Sequence, residues 1–367
     1  MQVYLDNNRA TMLDQQVIDA MMPMYSENYA IADNKNAQQL QTKKAIDEAF
    51  EKIRASIHAR NDDKFATFTS ADDAHIRLLL EIYMNKILTG QKNSIILSAT
   101  ESDAIYETAK YLADQGCRIN IVPLNNEGII DIDMLRDIIT PKTALVSITM
   151  VDSMSGAIMP IDEVAQICKE HEVPLHSDAT HAIGKLPIDV QMLDLDYMSI
   201  STETMHGPSD IALMYIKDGM QLPNLITPIH SRAGLVGIGK ALELAADAQA
   251  FEMEDVRELR DELEEAIREI DEHIIITSWA YRVPNTIMAG FKGVHSEALI
   301  WELAKAGISV YSEHSKGALV DNLEIDPAYR HTLVGFALSR YTTEDEIKYL
   351  IEKLPKAIKL IREERIK

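Results

Sequence analysis

Six short, unbroken apolar runs, separated by stretches of helical periodicity, limit this chain to one fold class. The runs cover residues 94–97, 119–122, 144–148, 173–176, 197–200 and 211–216, and each reads as a buried strand. Between them lie amphipathic stretches such as 103–115 and 162–171. A strand with one wet face alternates polar and apolar residues; these do not, so both faces must be covered. Intervening helices supply the cover and carry the chain back for parallel pairing, which predicts an α/β fold with a mostly parallel sheet. Ligands in such sheets bind at the carboxyl ends of the strands, and Asp178 lies just past the end of one run.

Beyond about residue 235 the pattern changes. A long helical stretch over 235–272, rich in Glu, Asp, Ala and Leu, leads to strands near 286–291, 308–312 and 333–338 and a helix over 296–306. A last helix opens at Thr343, where Thr343 and Glu346 form a capping-box pattern, and Pro355 is expected to kink or split it. At 367 residues two domains are the natural division. We place a large domain at 12–240 and a smaller α+β domain at 241–367, with 1–11 packing near the smaller one.

The net charge of −22 argues against nucleic acid or an anionic membrane as a partner, because phosphate neutralisation needs clustered Lys and Arg. Only Cys117 and Cys168 are present, without metal-ligand spacing, and both read as core thiols. No secretory signal or membrane span is visible, and a cytoplasmic setting is expected.

Several separated segments then narrow the family. They are Val3-Tyr4-Leu5-Asp6-Asn7-Asn8-Arg9-Ala10-Thr11, Phe68-Thr69-Ser70, Gly156-Ala157-Ile158-Met159-Pro160-Ile161, His176-Ser177-Asp178-Ala179-Thr180-His181, and Ser339-Arg340-Tyr341-Thr342-Thr343-Glu344. In this order they resemble the NifS-like cysteine desulfurases, a branch of the class V aminotransferases with the pyridoxal phosphate (PLP) fold type I. The resemblance implies a large domain with a seven-stranded-type sheet, a smaller C-terminal domain, and a dimer with its sites at the interface. It also implies that Asp178 faces the ring nitrogen of PLP.

The departures from the family pattern fall where cofactor and substrate would sit. Thr204 stands in the slot of the lysine that forms the imine, and a hydroxyl cannot condense with an aldehyde to an imine. Ser102 replaces the histidine over the cofactor ring, His181 a glutamine, Glu203 a histidine and Asp152 an asparagine. Asp73 takes the place of a phosphate-binding threonine, where each missing charged hydrogen bond costs on the order of 1.5–3 kcal/mol. Gly335 stands where an arginine would clamp the substrate carboxylate. The 228–234 loop is shortened, and the 311–317 loop lacks the sulfur-accepting cysteine.

On this reading Asp178, His181 and Ser201 are vestigial PLP-site positions, with Asp73, Asp152 and Glu203 lining the same pocket. Thr204, Ser102 and Gly335 are degenerate catalytic positions. The expectation is a desulfurase-like protein without desulfurase activity and with no cofactor, acting as a dimeric scaffold or regulatory partner in sulfur or iron–sulfur metabolism. Its partner would be another desulfurase subunit or an iron–sulfur scaffold protein. One alternative is an enzyme holding PLP without an imine, where His181 or Arg232 otherwise partners the buried Asp178 carboxylate. Another is an acidic pocket repurposed for a metal, suggested by His176-x-Asp178-x-x-His181. Met205, His206 and the short loop could plug the pocket.

Overall fold

The structure is a computed structural model describing residues 1–220, 229, 231–276, 281–312 and 325–364. Seven strands form the main sheet: β2 (Lys64–Phe68), β3 (Ser94–Ser98), β4 (Arg118–Val122), β5 (Thr143–Thr149), β6 (Leu175–Asp178), β7 (Tyr197–Ser201) and β8 (Ala212–Ile216). Their order is β2-β8-β7-β6-β5-β3-β4, parallel throughout except β8, which runs antiparallel to both its neighbours.

Alternate residues of the central strands feed two different cores, which is why those runs are largely apolar. β4, expected to be buried, instead lies at the sheet edge with Ile121 exposed. Ile96, Val146, Ile148, Met198 and Ile200 join the core that holds α3 (Ala37–Ser56), α7 (Ile161–Glu170) and the start of α8 (Arg232–Arg268). Ile95, Leu97, Leu145, Tyr197 and Met214 join the opposite core with α4 (Ala71–Ile82) and α5 (Asp103–Asp114). α1 (Gln15–Met21), α2 (Pro23–Ser26) and α6 (Ile132–Ile138) complete the cover. Among the described residues no helix is long and apolar enough to cross a membrane.

At 37 residues α8 is about 55 Å long. Its first turns bury Leu235, Ile238 and Leu242 in the core of the large sheet, and its later turns bury Val256, Leu263 and Ile267 in a third core. A division at 240/241 therefore falls inside one helix. The third core lies against an antiparallel sheet of β9 (His273–Ile275), β10 (Thr286–Phe291) and β12 (Leu333–Ala337), with α9 (Ser296–Lys305) and α10 (Glu344–Glu364). β1 (Val3–Tyr4) pairs in parallel with β11 (Ile308–Ser309), and Asp6 bridges to Ala337.

Two expectations need correction. α10 runs unbroken through Pro355; buried Leu350, Leu354 and Ile358 anchor it on both sides of the one backbone bond that proline cannot make. The strand expected over 308–312 is only two residues long, although Tyr311 bridges to Gly335 beyond it. The capping box at the start of α10 is present. The Thr343 N–H donates to Glu346 at 2.8 Å, and the Glu346 N–H donates to Thr343 Oγ1 at 3.3 Å.

Candidate functional site

The carboxyl ends of β5, β6 and β7 open toward the amino ends of α4 and α5, and Asp178 closes β6 at that edge. Its Oδ1 accepts from the Thr180 N–H at 3.0 Å and the Thr180 hydroxyl at 2.7 Å. His75, on α4, places Nε2 3.6 Å from the same oxygen. Burial alone would raise the Asp178 pKa, but the imidazole charge and the Thr180 bonds overcome it and hold the carboxyl far below its usual range. Burial likewise disfavours the His75 cation, yet the Asp178 charge wins and raises its pKa. Among the described residues Nε2 finds no hydrogen bond, since 3.6 Å is ion-pair rather than hydrogen-bond range. The partner of Asp178 is thus His75, not His181 or Arg232.

His75 carries a signal that is easily missed in the linear sequence. The buried side of α4 is Ala71, Ala74, His75, Leu78, Leu79, Glu81 and Ile82, so this histidine sits in a mostly apolar face. Its Nδ1 lies 3.3 Å from Ser102 Oγ, which also caps α5 by accepting from the Ile105 N–H. Behind this pair, Glu101 is fully buried. Its Oε1 accepts from the Ser98 hydroxyl and the Thr149 N–H, both at 2.8 Å, while Oε2 has no hydrogen-bond partner among the described residues. Burial pushes its pKa up to about 8, and the charge of Asp178 adds to the rise.

The metal motif does not converge. His176 lies between Ser147 Oγ (2.8 Å from Nδ1) and Ser199 Oγ (2.7 Å from Nε2), and burial drives its pKa down to about 3. That leaves a neutral ring committed to the sheet. Burial and the Lys185 charge lower His181 to about 4. Among the described residues no three His, Cys, Asp or Glu side chains are grouped to hold a metal ion.

The remaining positions have local occupations. The Thr204 hydroxyl donates to the Thr180 carbonyl at 2.8 Å, beside the residue that orients Asp178. Asp73 accepts from the Thr69 N–H at 3.3 Å and hydroxyl at 3.2 Å, and pairs with Arg77 at 2.8 Å, so its carboxylate takes donors an incoming phosphate would need. Burial would raise its pKa, but Arg77 and the Thr69 bonds outweigh it and lower the value. Asp152 closes a turn by accepting from the Ser155 N–H and hydroxyl at 2.7 and 2.6 Å, with its pKa raised by burial. Glu203 is also raised by burial, against a hydrogen bond from Ser201 and with Asp72 and Asp178 adding to the rise.

At Gly335, a Cβ would come within 2.2 Å of the Tyr311 ring, so that ring fills the room an arginine would need. Met205 and His206 are buried beside Thr204. Arg232 opens α8 and donates to the Tyr29 carbonyl at 3.1 Å. In the two altered loops, residues 228, 230 and 313–317 lie outside the described residues.

Asp178 suits a protonated ring nitrogen: it is buried, ionised and oriented through Oδ1, which takes both Thr180 bonds and faces His75. The phosphate end at Asp73 and the attachment point at Thr204 do not suit PLP in the family manner.

The aminotransferase class-V family matches residues 3–230 and 227–350. The chain is 30% identical over 386 residues to a cysteine desulfurase IscS of Clostridium botulinum (strain Kyoto / Type A2), covering 99% of this chain and 96% of the relative. It is 26% identical over 382 residues to the cysteine desulfurase NifS of Azotobacter vinelandii, covering 98% and 93%. A solved NifS-like protein superposes with a TM-score of 0.92 at 26% identity, over 98% of this chain and all of that one. These matches overturn the expectation of no cofactor. Cysteine desulfurases are PLP-dependent, so PLP is the cofactor to expect here.

Proposed function

The chain belongs to the aminotransferase class-V family as a cysteine desulfurase-like protein, and from that premise we propose that it does not itself release sulfur from cysteine but serves as a regulatory or scaffolding partner in sulfur handling. One observation carries this reading. The only two thiols, Cys117 and Cys168, are buried in the core, and burial pushes them up to about 11 and about 12. Neither can present a thiolate to accept sulfur.

PLP, when bound, supplies an electron sink for a substrate carbanion. Asp178 would hold its ring nitrogen protonated, and Thr180 would keep the carboxylate turned. Thr204 offers no amine to anchor the group or to move a proton at the substrate carbon, and its hydroxyl is spent on Thr180. Tyr311, over Gly335, bars the substrate-carboxylate clamp. The fold remains able to pair with a second copy, with another desulfurase subunit or with an iron–sulfur scaffold protein in the cytoplasm; this part of the proposal rests on likeness of fold.

The test is sulfide release from L-cysteine by the full chain with added PLP and a thiol reductant. We expect no release above that of free PLP. Turnover above that background overturns the proposal.

A further inference from the structure

Among the described residues, Lys185 is a buried cation without a carboxylate. It is only 8% exposed, and its Nζ makes one long hydrogen bond, 3.4 Å, to the neutral Asn8 Oδ1. Asn8 is itself fixed, accepting from Asn285 Nδ2 at 3.1 Å and donating to Thr286 Oγ1 at 2.9 Å. It offers a dipole, not a charge. An isolated buried ammonium is costly, and such groups are normally paired, hydrogen-bonded to anions or discharged.

Lys185 lines a cavity of about 30 Å³ between the 184–206 segment, α8 and the turn after β12. Thr204, His206, Asn285, Ser339 and Arg340 supply its other polar groups, and among the described residues the lining contains no acidic one. Arg340 is held in place by its contact with the Met205 carbonyl at 3.3 Å. The cavity has room for water-sized molecules and small ions beside Lys185.

We propose that this cavity binds a single small monovalent anion, of chloride or formate size, between Lys185 and Arg340. The anion completes the pair that Lys185 lacks, and its binding takes up a proton whenever the amine was neutral beforehand. Burial lowers the Lys185 pKa to about 7, so anion and proton bind together near neutrality. The titratable and charged neighbours do not replace this switch. His206 is lowered by burial to about 4 and His181 by burial and the Lys185 charge to about 4, so both stay neutral near pH 7. Asp178 and His75 lie outside this cavity, and Thr204 of the attachment slot is on its wall, so the test below reads ion binding without added PLP.

The test compares melting temperatures of the full chain in sodium chloride and in equimolar sodium gluconate, whose anion cannot enter. At pH 6.5 the wild type should melt roughly 2–4 °C higher in chloride, and the gain should fade above pH 8. Lys185→Met should erase the difference. An equal chloride effect in wild type and variant, or none in the wild type, overturns the proposal. If the variant does not fold, crystals of the wild type grown in bromide decide the matter. An anomalous peak within hydrogen-bonding reach of Lys185 Nζ supports the site, and an empty cavity refutes it.

Discussion

The ring of Tyr311 stands where any side chain on residue 335 would have to begin, within 2.2 Å of a Cβ built on Gly335. Tyr311 is 3% exposed, so it has little room to retreat. Gly335→Arg alone should therefore destabilise the fold by about 1–3 kcal/mol through overpacking. Combined with Tyr311→Ala, it should cost much less than the sum of the single changes. Urea denaturation of the four chains measures the coupling, and strict additivity would show that the ring is not the obstacle.

The His75–Asp178 pair makes stability depend on pH from both sides. The Asp178 contribution is present above its unfolded value near 3.8 and is lost as pH falls toward its much lower folded value. The His75 contribution is complete below its unfolded value of 6.5 and is lost as pH rises through its higher folded one. His75→Ala strands a buried carboxylate and should cost about 3–5 kcal/mol at pH 6. In an Asp178→Asn background the same change should cost far less, which a double-mutant cycle would record.

Glu101 acts in one direction only. The unfolded carboxyl ionises near 4.5 and the folded one near 8, so the unfolded state sheds its proton first and stability falls between those values. Glu101→Gln keeps an oxygen for Ser98 and Thr149 while removing the titration. The variant should gain about 1–3 kcal/mol over wild type at pH 7.5 and lose that margin near pH 5. Thermal melts across this range would show a converging pair of curves; parallel curves would contradict the assignment.

Restoring the amine should separate attachment from turnover. Thr204→Lys gives up the bond to Thr180, worth about 1 kcal/mol, and places an amine in the family's attachment slot. With PLP and borohydride the variant should carry a stable adduct on residue 204, located by peptide mass mapping, whereas wild type carries none there. It should still release no sulfide, because the thiols remain buried.

Those thiols offer a direct count. Cys117 and Cys168 should resist a disulfide reagent in the native protein and react as two equivalents once the chain is unfolded. A fast native thiol would mean that one of the two is accessible after all.

The central strands were legible because burial on both faces leaves unbroken apolar runs, as in Ala144-Leu145-Val146-Ser147-Ile148. β2 was not, since Lys64-Phe65-Ala66-Thr67 at the sheet edge mixes polar and apolar residues. The altered site positions could be named from the family resemblance, but their new occupations could not. Asp178 meets a histidine 103 positions earlier, and Gly335 is blocked by a residue 24 positions away; both relations depend on how helices and loops pack. Nothing in the linear sequence marks Lys185 as buried; its burial depends on Asn8 and Asn285, which are 177 and 100 positions away.

The pairing of Val3 with Ile308 sets a clock on synthesis. At about 5–20 residues per second the first strand leaves the ribosome roughly 15–60 s before its partner exists. During that interval Val3 and Leu5, which end at 2% and 0% exposure, have no core to enter. Val3 and Leu5 therefore wait, unpaired and unburied, until residue 308 has been made.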